Sequence, residues 1–527
     1  MNFTSAVFQD RLPVQWSILS SNMKILVKEL AETAKETVSL PSLKTKKAFF
    51  KAIQEKQRNL RNSYHNSFWG HAIKHLECFE DWEFTYLNNP FIYVEFLNSQ
   101  RITHQAARTQ LKIYETAHNI AQIILQHSSS FQWKKTCALQ LMVCDMWNTF
   151  VASSSFCTAS HCLPPIAKWA EDEIGHWALF KHSIKKERAI SINGLEDSIP
   201  IVSFPLSYSS KGILSWLVLA RETAHTILET NPKAKKILSN AIKKDIYQAL
   251  EYYPEDIKKN WANYWGNRFS EIGADVMAIL YMGPAAAIGL IAFLRCHRPD
   301  QTLSNNIDLN DSHLAGTLRG LLVAHAVSYL NISVFAKTCW VDYLLHEVKK
   351  NFDKTNWEFA NICARQAAKT IMHTPISGNQ SLKDIKCWSN EDENLVAYYL
   401  DGVSLNKEFI HYKAPHIIAS ANLHLLLKVQ LHVSNDGRIG HIFNQMIDHL
   451  YKKGQAQITN RNCLSCSITQ RDIFPYCPAP AQERSHSNPI TKVKKIQAKN
   501  AIDPLIVVAI VVIFFGVIIL TEKSKKE

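Results

Sequence analysis

The chain has 527 residues, which is enough for two or three domains or for one large domain with extensions. Its hydrophobic fraction of 46% and charged fraction of 20% are those of a globular protein with a real core, and they exclude disorder on a large scale. The formal net charge is +13, but the basic residues are mixed with acidic ones along predicted helix faces. This pattern is typical of a solvated surface, so no nucleic-acid partner is expected.

Apolar residues recur at spacings of three and four through most of the chain, which predicts a mainly α protein with a large, bundle-like helical body. The 16 glycines are too few for a many-stranded sheet with tight turns. One short strand is predicted at Ile199–Phe204. The predicted helices cover, in chain order, residues 22–36, 43–60, 102–127, 133–151, 164–186, 212–229, 233–251, 264–295, 314–349, 356–372 and 438–453.

Composition divides the chain into four parts. Residues 1–200 and 201–453 are predicted to be two helical regions. Residues 454–503 are polar, contain several prolines and then become basic, which predicts a linker. The last part, 504–521, is predicted to be a transmembrane helix.

The predicted transmembrane helix is the strongest single feature of the sequence. Pro504–Leu520 reads PLIVVAIVVIFFGVIIL and contains no charged residue. At ~1.5 Å per residue, 17 residues cover about 25 Å, close to the ~30 Å hydrocarbon core of a bilayer. The N-terminus lacks a basic flank followed by an apolar run, so no signal peptide is predicted. We therefore expect a single-pass C-terminal anchor in membrane lipid, with the main body in the cytoplasm.

The chemically informative segment lies between residues 212 and 300. One predicted helix carries Arg221, Glu222 and His225, and a later one carries Glu271 and Asp275 one turn apart. A hydrolytic zinc site needs two imidazoles at positions i and i+4 of a helix, with a glutamate beside the first that acts as a base on metal-bound water. It also needs a carboxylate ligand from a second helix, and an acceptor for a ligand imidazole's other N–H.

This segment resembles the gluzincin zinc metallopeptidases, whose pattern is HExxH on one helix and ExxxD on a later one. The string Glu271–Asp275 (EIGAD), followed by Met282-Gly-Pro-Ala and a His/Arg/Pro stretch at 297–299, also resembles a branch of uncharacterised peptidase-like proteins. The resemblance implies a zincin-like two-helix site in which His225 and Glu271 are zinc ligands. It further implies that Glu222 is the general base and that Asp275 orients a ligand imidazole.

The sequence departs from this pattern at the first histidine, where Arg221 stands. A guanidinium is always cationic and has no lone pair to donate, so Arg221 cannot bind zinc. We expect Arg221 instead to pair with Asp275 or Glu271 and to tie the two helices together. The resulting expectation is a membrane-anchored, metallopeptidase-like protein that is catalytically impaired and binds or scaffolds a protein or peptide partner.

Two alternatives to the impaired peptidase remain open from the sequence. His176 or His182 could act as a substitute ligand and restore an active zinc hydrolase. The chain could also be a structural, membrane-tethered helical protein without a metal site, in which the pattern of residues 221–275 is coincidental.

Other constellations predict different sites. Glu173 and His176 form a second ExxH pair, which together with Glu222 and His225 would suit a carboxylate-bridged di-iron bundle. Soft ligands in the predicted linker could hold zinc, and two histidines at i and i+4 could hold a metal near the N-terminus. The apolar stretch 272–294 is a candidate second membrane span, although Asp275 and Pro284 favour a buried helix. The linker ligands are Cys463, Cys466, Cys477 and His486, and the N-terminal histidines are His71 and His75.

Overall fold

The computed structural model describes residues 12–464 with gaps at 37, 41–44, 62–71, 75, 78, 80–116, 128–131, 153–163, 171–188, 191–198, 307–313, 351, 353–356, 377–378, 401–411 and 434–435. The chain divides into two units, Met1–Cys477 and Pro478–Glu527, and all the described residues belong to the first. Residues 454–464 of the predicted linker 454–503 are helical, so the linker prediction is wrong at its start. The rest of the predicted linker and the predicted anchor at 504–521 lie outside the described residues.

The described part is mainly helical, as the spacing of apolar residues predicts. Its helices are α1 (Leu12–Thr33), α2 (Lys46–Arg61), α3 (Trp133–Trp147), α4 (Ser215–Glu229), α5 (Pro232–Ala249), α6 (Glu255–Asn267), α7 (Phe269–Met282), α8 (Pro284–Cys296), α9 (Gly316–Ser328), α10 (Val334–Lys349), α11 (Trp357–His373), α12 (Leu382–Ile385), α13 (Asn390–Leu400), α14 (Ala414–Leu427) and α15 (Gly437–Leu464). Residues 117–127 are also helical. A π-helical turn, Asn148–Ala152, follows α3, and a 3-10 turn, Leu206–Ser209, precedes α4.

A small sheet of three strands lies beside the helices. The strands β1 (Ile166–Ala170), β2 (Ala189–Ile190) and β3 (Ile199–Pro205) are arranged in the order β1-β3-β2. β1 and β3 are parallel, and β2 and β3 are antiparallel. The strand predicted at Ile199–Phe204 is confirmed as β3.

The helix predicted over 164–186 is wrong at its start, where β1 forms instead. Among the described strands none pairs with the outer edge of β1, where two glutamine side chains bond to its backbone instead. Gln126 accepts from the Trp169 N–H at 2.7 Å and donates to the Trp169 carbonyl at 3.0 Å. Gln140 likewise accepts from the Ala167 N–H at 2.9 Å and donates to the Pro165 carbonyl at 2.8 Å. These amides replace a strand partner, so the segment meets its hydrogen-bonding needs while extended and buried.

The single helix predicted over 264–295 is interrupted twice, giving α6, α7 and α8. The second break falls at Gly283, whose φ of 67° is a left-handed conformation that favours glycine. A Cβ there would also lie 2.5–2.6 Å from the Trp388 indole, so no larger residue fits. Pro284 then occupies the first turn of α8, where its missing N–H has no intrahelical partner to lose.

The break at Gly283 also bears on the candidate second membrane span at 272–294, because it divides that stretch between two helices. Among the described residues, every helix falls short of the length and apolar character that a bilayer crossing requires.

Helix α4 lies in the middle of the core and packs most extensively against α7, with α8, α3 and β3 also in contact. Its residues from Ser215 to Ala220 are all buried. The approach of α8 is close, because a Cβ on Gly289 would lie 2.3 Å from the Leu217 Cβ. Buried packing on several sides therefore fixes the position and rotation of α4, and with them the direction of its polar side chains.

Helix α1 packs beside the turn that leads into α4. The buried Glu29 carboxylate accepts a hydrogen bond from the Gly212 N–H at 3.0 Å, and φ of Gly212 is 69°. Burial raises the pKa of Glu29 to about 7, although the hydrogen bond from Gly212 lowers it in part. Folded protein therefore holds a proton on Glu29 at pH values where the unfolded chain, with a pKa near 4.5, has lost it.

We expect Glu29→Gln to stabilise the chain at pH 8 and to leave its stability at pH 5 nearly unchanged. A raised acid pKa stabilises the fold below the unfolded value of 4.5, and that contribution is lost as pH rises through about 7. A neutral amide avoids this loss, and a difference of roughly 2.5 between the folded and unfolded pKa values corresponds to about 3 kcal/mol. Urea unfolding of both proteins at pH 5 and pH 8 measures the difference in the free energy of unfolding.

The control for Glu29→Gln is Glu32→Gln on the same helix, where the side chain is 46% exposed and pairs with Lys28. It should not change the pH dependence. If the two variants respond to pH in the same way, Glu29 does not carry the proton.

Candidate functional site

Helices α4 and α7 bring together all five of the residues that the sequence singles out. Helix α4 presents Arg221, Glu222 and His225, and α7 presents Glu271 and Asp275. Arg221 and Asp275 are each 1% exposed and His225 is 3% exposed. The side chains of Glu222 and Glu271 are 11% and 17% exposed, so the cluster reaches solvent through its two glutamates.

The Arg221 guanidinium lies between the three acids of this cluster and donates to each of them. Its Nε donates to Asp275 Oδ1 at 2.9 Å, and its Nη1 donates to Glu222 Oε1 at 2.5 Å. Its Nη2 donates to Glu271 Oε2. Both of the pairings offered by the sequence hypothesis, with Asp275 and with Glu271, are therefore present at once. The contact with Glu222 adds a third bond within α4.

His225 lies beside the same group. Its Nε2 is 3.7 Å from Glu271 Oε2, the oxygen that also accepts from Arg221 Nη2. The imidazole of α4 and the carboxylate of α7 thus approach one another, as a site shared between these two helices requires. The helix packing alone accounts for this approach, because α4 and α7 lie side by side along this stretch.

A second arginine, Arg319 of α9, completes the cluster. Its Nε donates to Asp275 Oδ2 at 2.8 Å and its Nη2 donates to Asp275 Oδ1 at 2.7 Å, which is a bidentate pair. Arg319 is 2% exposed. Asp275 therefore accepts three hydrogen bonds from two guanidinium groups, and α9 joins α4 and α7 through charge.

Sequence reasoning misses Arg319. The available signal is a lone arginine within the apolar run Gly316–Val327, because a guanidinium in a buried helix needs an acidic partner. The sequence does not tell which acid that partner is.

The charges of the cluster act on its pKa values in opposite directions. Burial lowers the pKa of Arg221, but the negative charges of Glu222, Glu271 and Asp275 outweigh burial and raise that pKa. Burial raises the pKa of Glu222; the charge of Arg221 lowers it and that of Glu271 raises it, and the net direction is upward. Arg221 is therefore held in its cationic form.

The side chains of this cluster do not fit a zinc ion. A guanidinium has no lone pair, and Arg221 occupies the space between the carboxylates that a ligand imidazole and a dication would need. Across the part of the chain that the structure describes, no three histidine, cysteine or acidic side chains are grouped to hold a metal. With Arg221 in place, Glu222 accepts a hydrogen bond from a cation.

The other candidate sites fall on positions whose side chains the structure does not describe. These are the Glu173 and His176 pair of the di-iron alternative, the substitute ligands His176 and His182, the pair His71 and His75, and the linker set Cys463, Cys466, Cys477 and His486. They remain predictions from the sequence.

Buried ion pairs thus link α4, α7 and α9. The His225 imidazole and the partly exposed Glu222 and Glu271 lie at the edge of this cluster. No protein-family model matches the chain, and no curated protein and no solved structure matches it.

Proposed function

We propose that this chain is a membrane-attached, zinc-peptidase-like protein in which an arginine has replaced the metal, so that it acts by binding a protein or peptide rather than by hydrolysis. The observation that supports this proposal is the set of contacts made by Arg221. Its three nitrogens donate to Glu222, Glu271 and Asp275, which are the acids that the resemblance assigns to the base, the ligand and the imidazole partner.

The physical consequence is that the site loses its hydrolytic chemistry while helices α4 and α7 are held more rigidly together. A zinc hydrolase lowers the pKa of a bound water to about 7 and needs an open coordination position for it. Arg221 supplies neither, and it holds Glu222 in an ion pair. What the arginine does supply is a fixed positive charge that crosslinks α4 and α7, so the surface around Glu222 and Glu271 keeps a defined shape.

Membrane attachment is part of the proposal and is supported by the sequence at Pro504–Leu520. On that topology the body faces the cytoplasm, and a tether of about 40 residues between α15 and the anchor confines it to the vicinity of the bilayer. A binding protein so confined has a raised effective concentration toward partners on the same membrane.

The metal content of the purified full-length chain tests the proposal. After exchange into zinc-containing buffer and removal of free ion, we expect well below one zinc per chain and no hydrolysis of a casein or peptide mixture. One zinc per chain held with sub-micromolar affinity would overturn the proposal and favour the active hydrolase with a substitute ligand.

A further inference from the structure

Trp388, which precedes α13, lies at the break between α7 and α8. Its side chain is 1% exposed, and its indole packs on Gly283, where a Cβ would come within 2.5–2.6 Å of the ring. Its carbonyl accepts from the Asn331 N–H at 3.0 Å, which joins this segment to the turn before α10. Because α7 runs from the Arg221 cluster to Gly283, the indole packs at the far end of the helix that contributes two acids to that cluster.

The indole is bonded to Glu393, in the first turn of α13. Trp388 Nε1 donates to Glu393 Oε1 at 2.6 Å. An indole N–H is a neutral donor, so this hydrogen bond supplies no positive charge to balance an ionised carboxylate. In the part of the chain that the structure describes, no lysine, arginine or histidine is paired with Glu393.

The neighbouring carboxyl group, on Asp392, is surrounded by donors instead. Lys386 Nζ and the Ser389 N–H both donate to its Oδ2, each at 2.9 Å. His416 Nε2 donates to its Oδ1 at 2.8 Å, because Nδ1 of the same ring accepts from the Lys413 N–H. Burial raises the pKa of Asp392, but the bond from His416 and the charge of Lys386 outweigh burial and hold that pKa well below its usual range.

Two adjacent carboxyl groups in one helical turn are therefore in different protonation states at pH 6. Burial raises the pKa of Glu393 to about 7; the hydrogen bond from Trp388 lowers it in part, and the charge of Asp392 raises it. The N-terminus of a helix favours an anion, but three acidic residues share this first turn. The other titratable groups around the turn are Glu391, Lys386, Cys387, His416 and, on α7, Tyr281.

We infer that a proton on Glu393 keeps α13 docked at the break between α7 and α8, and that loss of this proton releases α13 together with the Trp388 indole. The neutral carboxyl group suits a buried position, whereas the ionised form lacks a cationic partner there and is repelled by Asp392. After release the side chain reaches water, where a carboxylate is stable. The fold therefore contains a switch that closes as the solution is acidified.

Hydrogen exchange of the full chain in detergent micelles, followed by mass spectrometry, measures the release of each element. A raised acid pKa stabilises docking fully below the released-state value of 4.5, and that contribution is lost as pH rises through about 7. The protection factor of the α13 amides, which corrects for the pH dependence of exchange itself, should therefore fall roughly 70-fold between pH 5 and pH 8. Low concentrations of urea should leave it unchanged, because local release exposes little surface compared with global unfolding.

Glu393→Gln is the decisive variant. The glutamine oxygen still accepts from Trp388 Nε1, but the amide has no proton to lose in this range, so the protection factor of α13 should change by less than about threefold. The matched control, Glu391→Gln, removes an exposed acid from the same turn and should keep the fall seen in the natural chain. Glu393→Met, which is equally uncharged, answers the same question if the amide disturbs the indole.

Three results would overturn the inference. One is a fall in Glu393→Gln as large as that in the natural chain, because another group of the turn, such as His416, would then carry the pH dependence. Another is a natural chain whose α13 keeps its protection at pH 8. The third is exchange in α13 that rises with urea as steeply as exchange in α5, because α13 would then open only together with the whole fold.

Discussion

Replacing Arg221 with histidine is expected to produce a chain that binds one zinc ion tightly, where the natural chain binds none. The substitution supplies the second imidazole one helical turn before His225 and removes the cation from between the acids. His225, the new imidazole and Glu271 would then give three protein ligands, the number found in catalytic zinc sites. Arg319 keeps its bidentate pair with Asp275, so the second helix remains positioned.

The size of the expected effect follows from the strength of zinc binding. Complete sites in small zinc domains bind with about 10–16 kcal/mol, and a site with fewer ligands retains a fraction of that. We therefore expect sub-micromolar zinc affinity for Arg221→His, measured by competition with a chromophoric chelator. Zinc at ~100 times its dissociation constant should also add about 2.7 kcal/mol to the stability of this variant, and nothing to that of the natural chain. The affinity should fall below pH ~6 as the imidazoles become protonated.

Two matched variants make this result interpretable. Lys244→His places an imidazole on an exposed position of α5 and should bind zinc weakly. Arg221→Met removes the cation without supplying a ligand, and its zinc affinity should also be weak. If Arg221→His binds zinc no more tightly than these two, the resemblance to zinc peptidases loses its main support.

The elements that the sequence predicts well are those whose physical cause is local. Helices such as α5 and α11 repeat a buried apolar position every three or four residues, and their observed ends lie within two residues of those predicted. The approach of α4 and α7 is also predictable in outline, because the polar residues of both helices require buried partners in otherwise apolar stretches.

The elements that the sequence does not predict depend on distant partners. Strand β1 is stabilised by the Gln126 and Gln140 side chains, and nothing within Ile166–Ala170 reveals them. Arg319 is paired with Asp275 only because α9 packs against α7. Each of these features is set by tertiary contacts that override local preference.

The second large effect concerns Asp275, whose loss should destabilise the fold more than that of any single exposed charge. Asp275→Ala leaves Arg319, which is 2% exposed, without the carboxylate that accepts both of its hydrogen bonds. It also removes one of the three acceptors of Arg221. Removal of one partner from a buried ion pair costs about 3–5 kcal/mol, because the remaining charge is neither hydrated nor compensated.

Exposed and double variants separate this effect from ordinary loss of side-chain contacts. Asp300→Ala removes a carboxylate that is 51% exposed and pairs with Arg298, and should cost far less stability than Asp275→Ala. Combining Asp275→Leu with Arg319→Met replaces a buried ion pair by apolar groups of similar size, and should restore most of the stability lost in Asp275→Leu alone. Urea unfolding of the single and double variants gives the coupling between the two sites directly. If the two losses simply add, Asp275 and Arg319 do not act as a pair.

The loss of Arg221 should likewise destabilise the fold, because its guanidinium is proposed to replace the metal. A guanidinium that donates to Glu222, Glu271 and Asp275 crosslinks two helices as a structural ion would, so Arg221→Met should destabilise the chain by about as much as Asp275→Ala. Without the guanidinium, the three carboxylates would repel one another, and only protonation of the carboxylates would reduce that repulsion. The penalty should therefore be largest at high pH and shrink as the solution is acidified toward pH 4. A penalty that does not depend on pH would mean that Arg221 stabilises the fold by packing, and that the acids around it are not held there by its charge.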